Sequence, residues 1–338
     1  MRRVIQLFLS VVASVSFSAQ KDQAMKDAIR NGAIAKICYR VVDDEGEPVS
    51  NAVAHVWFSS YSRHQDDANW KVLTDANGMF TVEHRTNESL DCGFDKDGYY
   101  HSSDQILFRE RKDVSPKVVD GKWQPYGETR TVVLKKIRNP QPLVDSGGKK
   151  CVRYPEDGVW NGFDLEKFDW CKPMGCGVVS DMMIRFTRKE MLDGFIKTMD
   201  VSFTNNQYSG AYEMATDGFS EMSTVYHADR NATFNNSLSY RFVRDKKGSH
   251  CYDLSRDKYL VFRVRPVLDE NGNLVSAHYG RISGSWLFYE RIGMKIGPVL
   301  FNPTPNDTNL EDAETYRLSL LRKKQNQEFE RRRKAKGK

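Results

Sequence analysis

The sequence predicts an all-β protein: a β-sandwich, a second and larger β-sandwich, then a basic helical tail. Three observations carry this reading. Short alternating or apolar runs recur from Ala35 to Phe301, separated by turns of Gly, Asn, Asp and Pro, with no sustained helical period. Aromatic residues make up 12% of the 338, and flat rings suit a pleated surface. The formal charge of +6 is uneven: the segment from Tyr316 onward contributes +8 and Arg2 with Arg3 another +2, which leaves the body at −4. The basic character therefore belongs to a tail and not to a nucleic-acid-binding domain. Hydrophobic residues at 39% and charged residues at 28% exclude a polytopic membrane protein, a collagen-like chain and a mainly disordered one. The length fits two domains.

Residues 1–19 read as a signal peptide. Arg2 and Arg3 precede the apolar run Val4–Ala13, and Ser16-Phe17-Ser18 places small residues before a cleavage point at Ser18 or Ala19. The apolar run is too short to span a bilayer comfortably, which takes roughly 20 residues. No cysteine stands at the cleavage point and no other apolar run is long enough to cross, so the expectation is an exported chain without a membrane span. An even number of cysteines in such a chain predicts disulfides among Cys38, Cys92, Cys151, Cys171, Cys176 and Cys251, with the pairing open. Cys38 alternates with Lys36 and Arg40 but Cys92 with Leu90 and Phe94, so that pair is disfavoured. Cys171 and Cys176 are the only close pair, with no second pair at finger-like spacing, so neither a metal nor a cofactor is expected.

The first sandwich spans 35–138. Ile37–Val41, Ala52–Phe58, Met79–Val82 and Thr131–Leu134 read as strands, and Asn77-Gly78 is a tight turn. Asp43-Asp44-Glu45-Gly46-Glu47-Pro48-Val49 with Ala52-Val53, Thr74-Asp75-Ala76-Asn77-Gly78-Met79-Phe80 and Lys96-Asp97-Gly98-Tyr99-Tyr100 follow one another in that order. Together with Thr131–Leu134 they resemble the motifs of carboxypeptidase regulatory-like domains. The resemblance covers about a third of the chain. It implies a transthyretin-like sandwich of the kind attached to exported bacterial proteins, and it brings no catalytic residues. Asp91, Asp95 and Asp97 lack the glycine and distal Glu of a calcium loop and read as solvated carboxylates at a hairpin. His55, His64, His84 and His101 show no ligand spacing and read as surface or packed residues.

Arg138-Asn139-Pro140-Gln141-Pro142 opens a linker, 139–150, and the second β-rich domain runs over 151–310. Gly162-Phe163-Asp164-Leu165-Glu166-Lys167-Phe168-Asp169-Trp170 and Asn302-Pro303-Thr304-Pro305-Asn306-Asp307 resemble motifs of uncharacterised exported bacterial proteins, which imply architecture and no activity. Asp269-Glu270-Asn271-Gly272-Asn273 predicts a hairpin between Leu260–Leu268 and Leu274–Ile282. The candidate ligand-binding residues are Trp160, Asp164, Glu166, Asp169 and Trp170: carboxylates for acid/base work beside rings that stack on pyranose faces. The competing and favoured reading makes the rings core and the acids turn-flanking. No G-x-S-x-G, P-loop or dinucleotide fingerprint occurs.

Residues 311–338 form the tail, with acids first and bases last as a helix dipole prefers. Arg331, Arg332, Arg333 and Lys334 are its candidate contacts to an anionic polymer. The leading functional expectation is a non-enzymatic exported binding or scaffold protein of the bacterial envelope or medium. Its expected partner is an envelope polysaccharide or another envelope protein, and no specific nucleic acid. The alternatives are a carbohydrate-active hydrolase using the second domain's carboxylates, and an adhesion or assembly subunit recruited through its tail.

Overall fold

The structure, a computed structural model, describes residues 23–60, 68–147, 151–152, 157–204, 207–218, 220–252, 257–284, 287–289, 293–295 and 297–336. The signal-peptide residues 1–19 lie outside these. The chain divides into two compact units: one runs to Ile137 and takes in Phe219–Glu221, and the other comprises Arg138–Gly218 and Met222–Lys338.

The described part of unit 1 begins with helix α1 (residues 23–31), followed by β1 (Ala33–Asp43), β2 (Val53–Ser59), β3 (Ala68–Leu73), β4 (Met79–Thr86) and β5 (Ser89–Asp95). Strands β6 (Ser102–Leu107), β7 (Val118–Val119), β8 (Lys122–Trp123) and β9 (Glu128–Leu134) complete it. One sheet orders β4-β1-β8-β7 with β9 parallel to β1, and the other orders β3-β2-β5-β6. Strict alternation explains why both hold their register. Ala33, Ala35, Ile37, Tyr39 and Val41 of β1 point inward, as do Ala54, Val56 and Phe58 of β2, and each residue between them turns outward. The sheets meet where the Tyr39 ring stacks on Phe80 at 5.1 Å and meets Phe94 edge-on at 5.4 Å. The Tyr39 hydroxyl donates to Asp104 at 3.1 Å, and Arg130 grips the same carboxylate with two bonds of 2.6 Å.

Unit 2 contains β10 (Val144–Asp145), β11 (Cys151–Val152), β12 (Asn161–Asp164), β13 (Asp169–Trp170), β14 (Met182–Met191), β15 (Gly194–Phe203) and β16 (Gly210–Ala215). There follow β17 (Ser237–Asp245), β18 (Gly248–Tyr252), β19 (Lys258–Leu268), β20 (Leu274–Ser283), β21 (Leu287–Tyr289), β22 (Gly293–Lys295), β23 (Val299–Phe301) and helix α2 (Ala313–Lys336). Sheet β13-β12-β14-β15-β17-β18 packs on sheet β10-β23-β20-β19-β16 around a core that includes Phe163, Ile184, Val201, Leu260, Phe262 and Phe301. The second sheet is apolar on both faces. Tyr259, Val261, Ala277 and Tyr279 turn away from that core and pack with Ala228 and Leu310. The hairpin of β19 and β20 forms around Asp269, whose carboxylate accepts the backbone N–H groups of Asn271 and Asn273 at 2.9 and 2.7 Å.

Two expectations need correction. Of the expected linker 139–150, the described residues 139–147 are built into unit 2. Val144 and Asp145 pair with Phe301 and Leu300, and Gln141 exchanges backbone bonds with Glu311 and Ala313. Among the described side chains, Cys38, Cys92, Cys171 and Cys176 are free thiols and not disulfides. Cys38 stands on the outer side of β1 and accepts the Thr81 hydroxyl, whereas Cys92 is buried in the opposite sheet, where desolvation pushes its pKa up to about 12. The side chains of Cys151 and Cys251 lie outside the described residues.

The Asn77-Gly78 turn is built as its sequence implies. The Asp75 carboxylate accepts the N–H groups of Asn77 and Met79 at 2.8 and 2.7 Å, and Gly78 has φ +71°. A Cβ there would stand 2.3 Å from the Val41 carbonyl oxygen. Gly78→Ala combines that clash with left-handed strain and is expected to cost about 2 kcal/mol in chemical denaturation.

Candidate functional site

Two of the acids singled out in unit 2, Asp164 and Glu166, meet at Arg265 of β19 together with Asp181, which the sequence did not single out, whereas Asp169 bonds elsewhere. Arg265 sits at a register shift between Val264 and Val267 with φ +53°, which turns its side chain off the regular strand course. Its Nε and Nη2 donate to the two oxygens of Asp181 at 2.8 and 3.0 Å, Nη2 also to Asp164 at 3.1 Å, and Nη1 to Glu166 at 2.5 Å. The guanidinium lies 4.8 Å from the Phe301 ring centroid. Asp164 is buried, and each oxygen serves the backbone as well. One accepts from Glu166 and Lys167 at 3.1 and 3.0 Å, the other from Val178 and Val179 at 2.9 and 3.0 Å.

Electrostatics follow from this geometry. Burial works against ionisation of Asp164, but the backbone donors and Arg265 outweigh it and hold the carboxyl below its usual range. At Asp181 burial is the stronger influence and pushes the pKa up despite Arg265. Asp169 plays a similar structural part, accepting the N–H groups of Trp170 at 2.8 Å and Cys176 at 2.9 Å. Trp170 is core, edge-on to Phe163 at 5.3 Å. Of the five candidates, only Trp160 is open, 38% exposed with the Arg185 guanidinium 4.7 Å from its ring centroid. The acid cluster is thus a clasp between sheets, with the oxygens of Asp164 and Asp181 committed to amides and guanidinium.

A different surface carries ring and hydrogen-bonding groups together: the outer face of β3-β2-β5-β6. The register sets it out in rows. Trp57 lies between Asn69 and Asp91, with Gln105 beyond; His55 lies between Lys71 and Gly93, with Ser103 beyond. Trp57 is 52% exposed. Asp91 is oriented by Ser89 at 2.8 Å and Gln105 at 2.6 Å. Asp95 receives His101 Nδ1 at 3.0 Å and His55 Nε2 at 3.3 Å. Gly93 makes room, since a Cβ there would meet His101 Cε1 at 3.0 Å.

Asp95 is therefore not the solvated hairpin carboxylate expected from sequence. Burial opposes its charge, but both imidazoles outweigh that and hold its pKa far below the ordinary value of 3.8. Sequence reading missed the cluster because His55 reaches Asp95 only through the β2–β5 register, and His101 only through the β5–β6 turn. Alternation of Trp57 with buried Val56 and Phe58 was the available signal. Among the described residues, no group of three or more His, Cys, Asp or Glu is placed to hold a metal ion, and no helix is long and apolar enough to cross a membrane. Arg331 is exposed on α2; the side chains of Arg332, Arg333 and Lys334 lie outside the described residues.

No family model matches the chain, and no curated protein matches it. Solved structures do. A 3-chlorocatechol 1,2-dioxygenase from Rhodococcus opacus matches with 19% identity over 32% of this chain and 62% of its own, at a TM-score of 0.25. A catechol 1,2-dioxygenase from Acinetobacter matches with 17% identity over 32% of this chain and 54% of its own, at 0.24. A hydroxyquinol 1,2-dioxygenase from Pseudomonas putida matches with 15% identity over 32% and 58%, at 0.24. The chain thus spans little more than half the length of these neighbours. They are enzymes, and the non-enzymatic expectation is corrected accordingly: a β-rich fold without familiar catalytic motifs does not exclude catalysis. At these TM-scores no activity, substrate or residue role passes to this chain.

Two outcomes test the geometry. Arg265→Met leaves the buried Asp164 and Asp181 without their cation and is expected to destabilise unit 2 by about 3–5 kcal/mol in denaturant titration. Asp95, whose pKa is depressed on folding, contributes stability that is full above pH 3.8 and lost as pH falls below it. Asp95→Asn is therefore expected to flatten the acid limb of a melting-temperature profile below that pH.

Proposed function

We propose that the chain is an exported protein of the bacterial envelope or medium that binds a polysaccharide through the outer face of β3-β2-β5-β6. The observation that carries this is the exposed Trp57 ring beside Asp91, which Ser89 and Gln105 hold in place. A pyranose offers a C–H face to such a ring and hydroxyls to the carboxylate, amide and imidazoles around it. Groups fixed on paired strands are preorganised, so little ordering entropy opposes binding. The signal-like residues 1–19 and the resemblance to carboxypeptidase regulatory-like domains support export. The basic helix α2 supplies a weaker, salt-sensitive attraction to acidic polymers.

The test is retention on a panel of polysaccharides in affinity electrophoresis. Trp57→Ala is expected to weaken retention about tenfold or more, a loss of ~1.4 kcal/mol, with an unchanged melting temperature. Trp160→Ala is expected to leave retention intact. Undiminished retention by Trp57→Ala refutes the reading. Export is tested separately: mass spectrometry of the mature protein is expected to place its N-terminus at Ala19 or Gln20.

A further inference from the structure

Two carboxylates on the outer face of β3-β2-β5-β6 differ in what answers their charge. Asp91 and Asp95 both turn outward from β5, on either side of Gly93. Asp95 lies between two imidazoles, with His101 Nδ1 at 3.0 Å and His55 Nε2 at 3.3 Å. Asp91 has only neutral donors, the Ser89 hydroxyl on Oδ2 at 2.8 Å and the Gln105 amide on Oδ1 at 2.6 Å. Among the described residues, no Lys, Arg or His forms an ion pair with it. The two bonds hold the carboxylate still and leave each oxygen a second acceptor position.

This unanswered charge stands beside the exposed ring. Trp57 and Asp91 are register partners and share the outward face, and directly opposed residues are the nearest side-chain neighbours across an antiparallel pair. On either side of Asp91 in its strand, the outward positions are Ser89 and Gly93, small and uncharged. The indole therefore has one fixed anion on its β5 side. A pyranose of the gluco configuration lays its axial C–H bonds on such a ring. Its equatorial substituents then project from the rim, and one directed towards β5 meets Asp91. A hydroxyl there donates a neutral hydrogen bond. An ammonium donates a charge-assisted one, about twice as strong. An acetamide brings a carbonyl oxygen and bulk against the carboxylate.

Resting on the reading of this face as a polysaccharide site, we infer that its ligand is an amino-sugar polymer with free ammonium groups. One ammonium pairs with Asp91 while its sugar ring lies on Trp57. A uronate or a sulfated sugar meets repulsion from Asp91 at this face.

The experiment is isothermal titration of the full mature protein with β-1,4-linked tetramers of glucosamine, glucose and N-acetylglucosamine, at a mildly acidic pH where the amines are protonated. The glucosamine tetramer is expected to bind at least about tenfold more tightly than the other two. Asp91→Asn preserves the shape of the side chain, and the Gln105 amide can turn its oxygen towards the new NH2 group. It is expected to erase the preference and leave the glucose tetramer bound as by the parent, with the melting curve checking the fold. Diffuse attraction of a polycation to the acidic body would survive the loss of this one charge. Trp57→Ala is expected to weaken all three tetramers. The comparison of ligands on the parent needs no variant, so it decides even where a substitution disturbs the fold. Equal binding of the three tetramers, a preference that Asp91→Asn leaves intact, or no heat with the glucosamine tetramer at millimolar concentration overturns the inference. If the preference is absent while Trp57→Ala still abolishes retention on a neutral polysaccharide, this inference falls and the polysaccharide reading stands. Binding of the glucosamine tetramer that Trp57→Ala leaves unchanged counts against both.

Discussion

Unit 2 is organised around a single cation. Arg265 reaches from one sheet to carboxylates that flank the first strands of the other, and the segment 164–181 takes its shape from that meeting. Asp164 has Arg265 on one oxygen and backbone amides on both, so a long irregular stretch becomes fixed without much apolar side chain of its own. Burying such charges is costly, and they hold together because nearly every oxygen has a donor. The left-handed conformation of Arg265 belongs to the same arrangement: a regular extended residue would send the guanidinium along the alternating face of β19. Charge pairing and backbone strain therefore stand or fall as one feature.

Much of the fold was legible in the sequence because it follows from local rules. Alternation fixed the faces of β1 and β2, and Asp75 to Met79 and Asp269 to Asn273 supplied their own turn carboxylates. The division between an outer Cys38 and an inner Cys92 could be read from neighbours two residues away. What could not be read depends on register between distant strands. The same acidic residues beside tryptophans would suit a sugar site or a clasp. Only the arrival of Arg265, about a hundred residues later, decides between them. His55 and His101 gave no spacing signal, since their meeting point is a carboxylate that β5 brings opposite β2. The cysteine expectation rested on compartment, an argument that says nothing about which side chains approach one another.

The two most exposed tryptophans among the described residues illustrate how placement alters chemistry. Trp160 precedes a short strand beside the clasp, with a guanidinium already near its ring. Trp57 lies mid-strand, where pairing on both sides fixes its backbone and the row across it holds polar groups at strand spacing. Pairing on both sides thus fixes the point on the sheet from which this ring projects.

The root of α2 bears on how the chain comes to be folded. The Glu311 carboxylate accepts the N–H groups of Arg138 and Asn139 at 2.9 and 2.7 Å, and its carbonyl accepts that of Gln141 at 2.8 Å. The beginning of unit 2 is thus sealed by residues from its far end. Closing so long a loop is slow, and on a ribosome Arg138 has no Glu311 to meet until a further 173 residues have been made. During that interval the β19–β20 hairpin can form but has no finished sandwich to join. A chaperone, or passage through a translocation pore in an unfolded state, would spare those open edges from pairing with other chains.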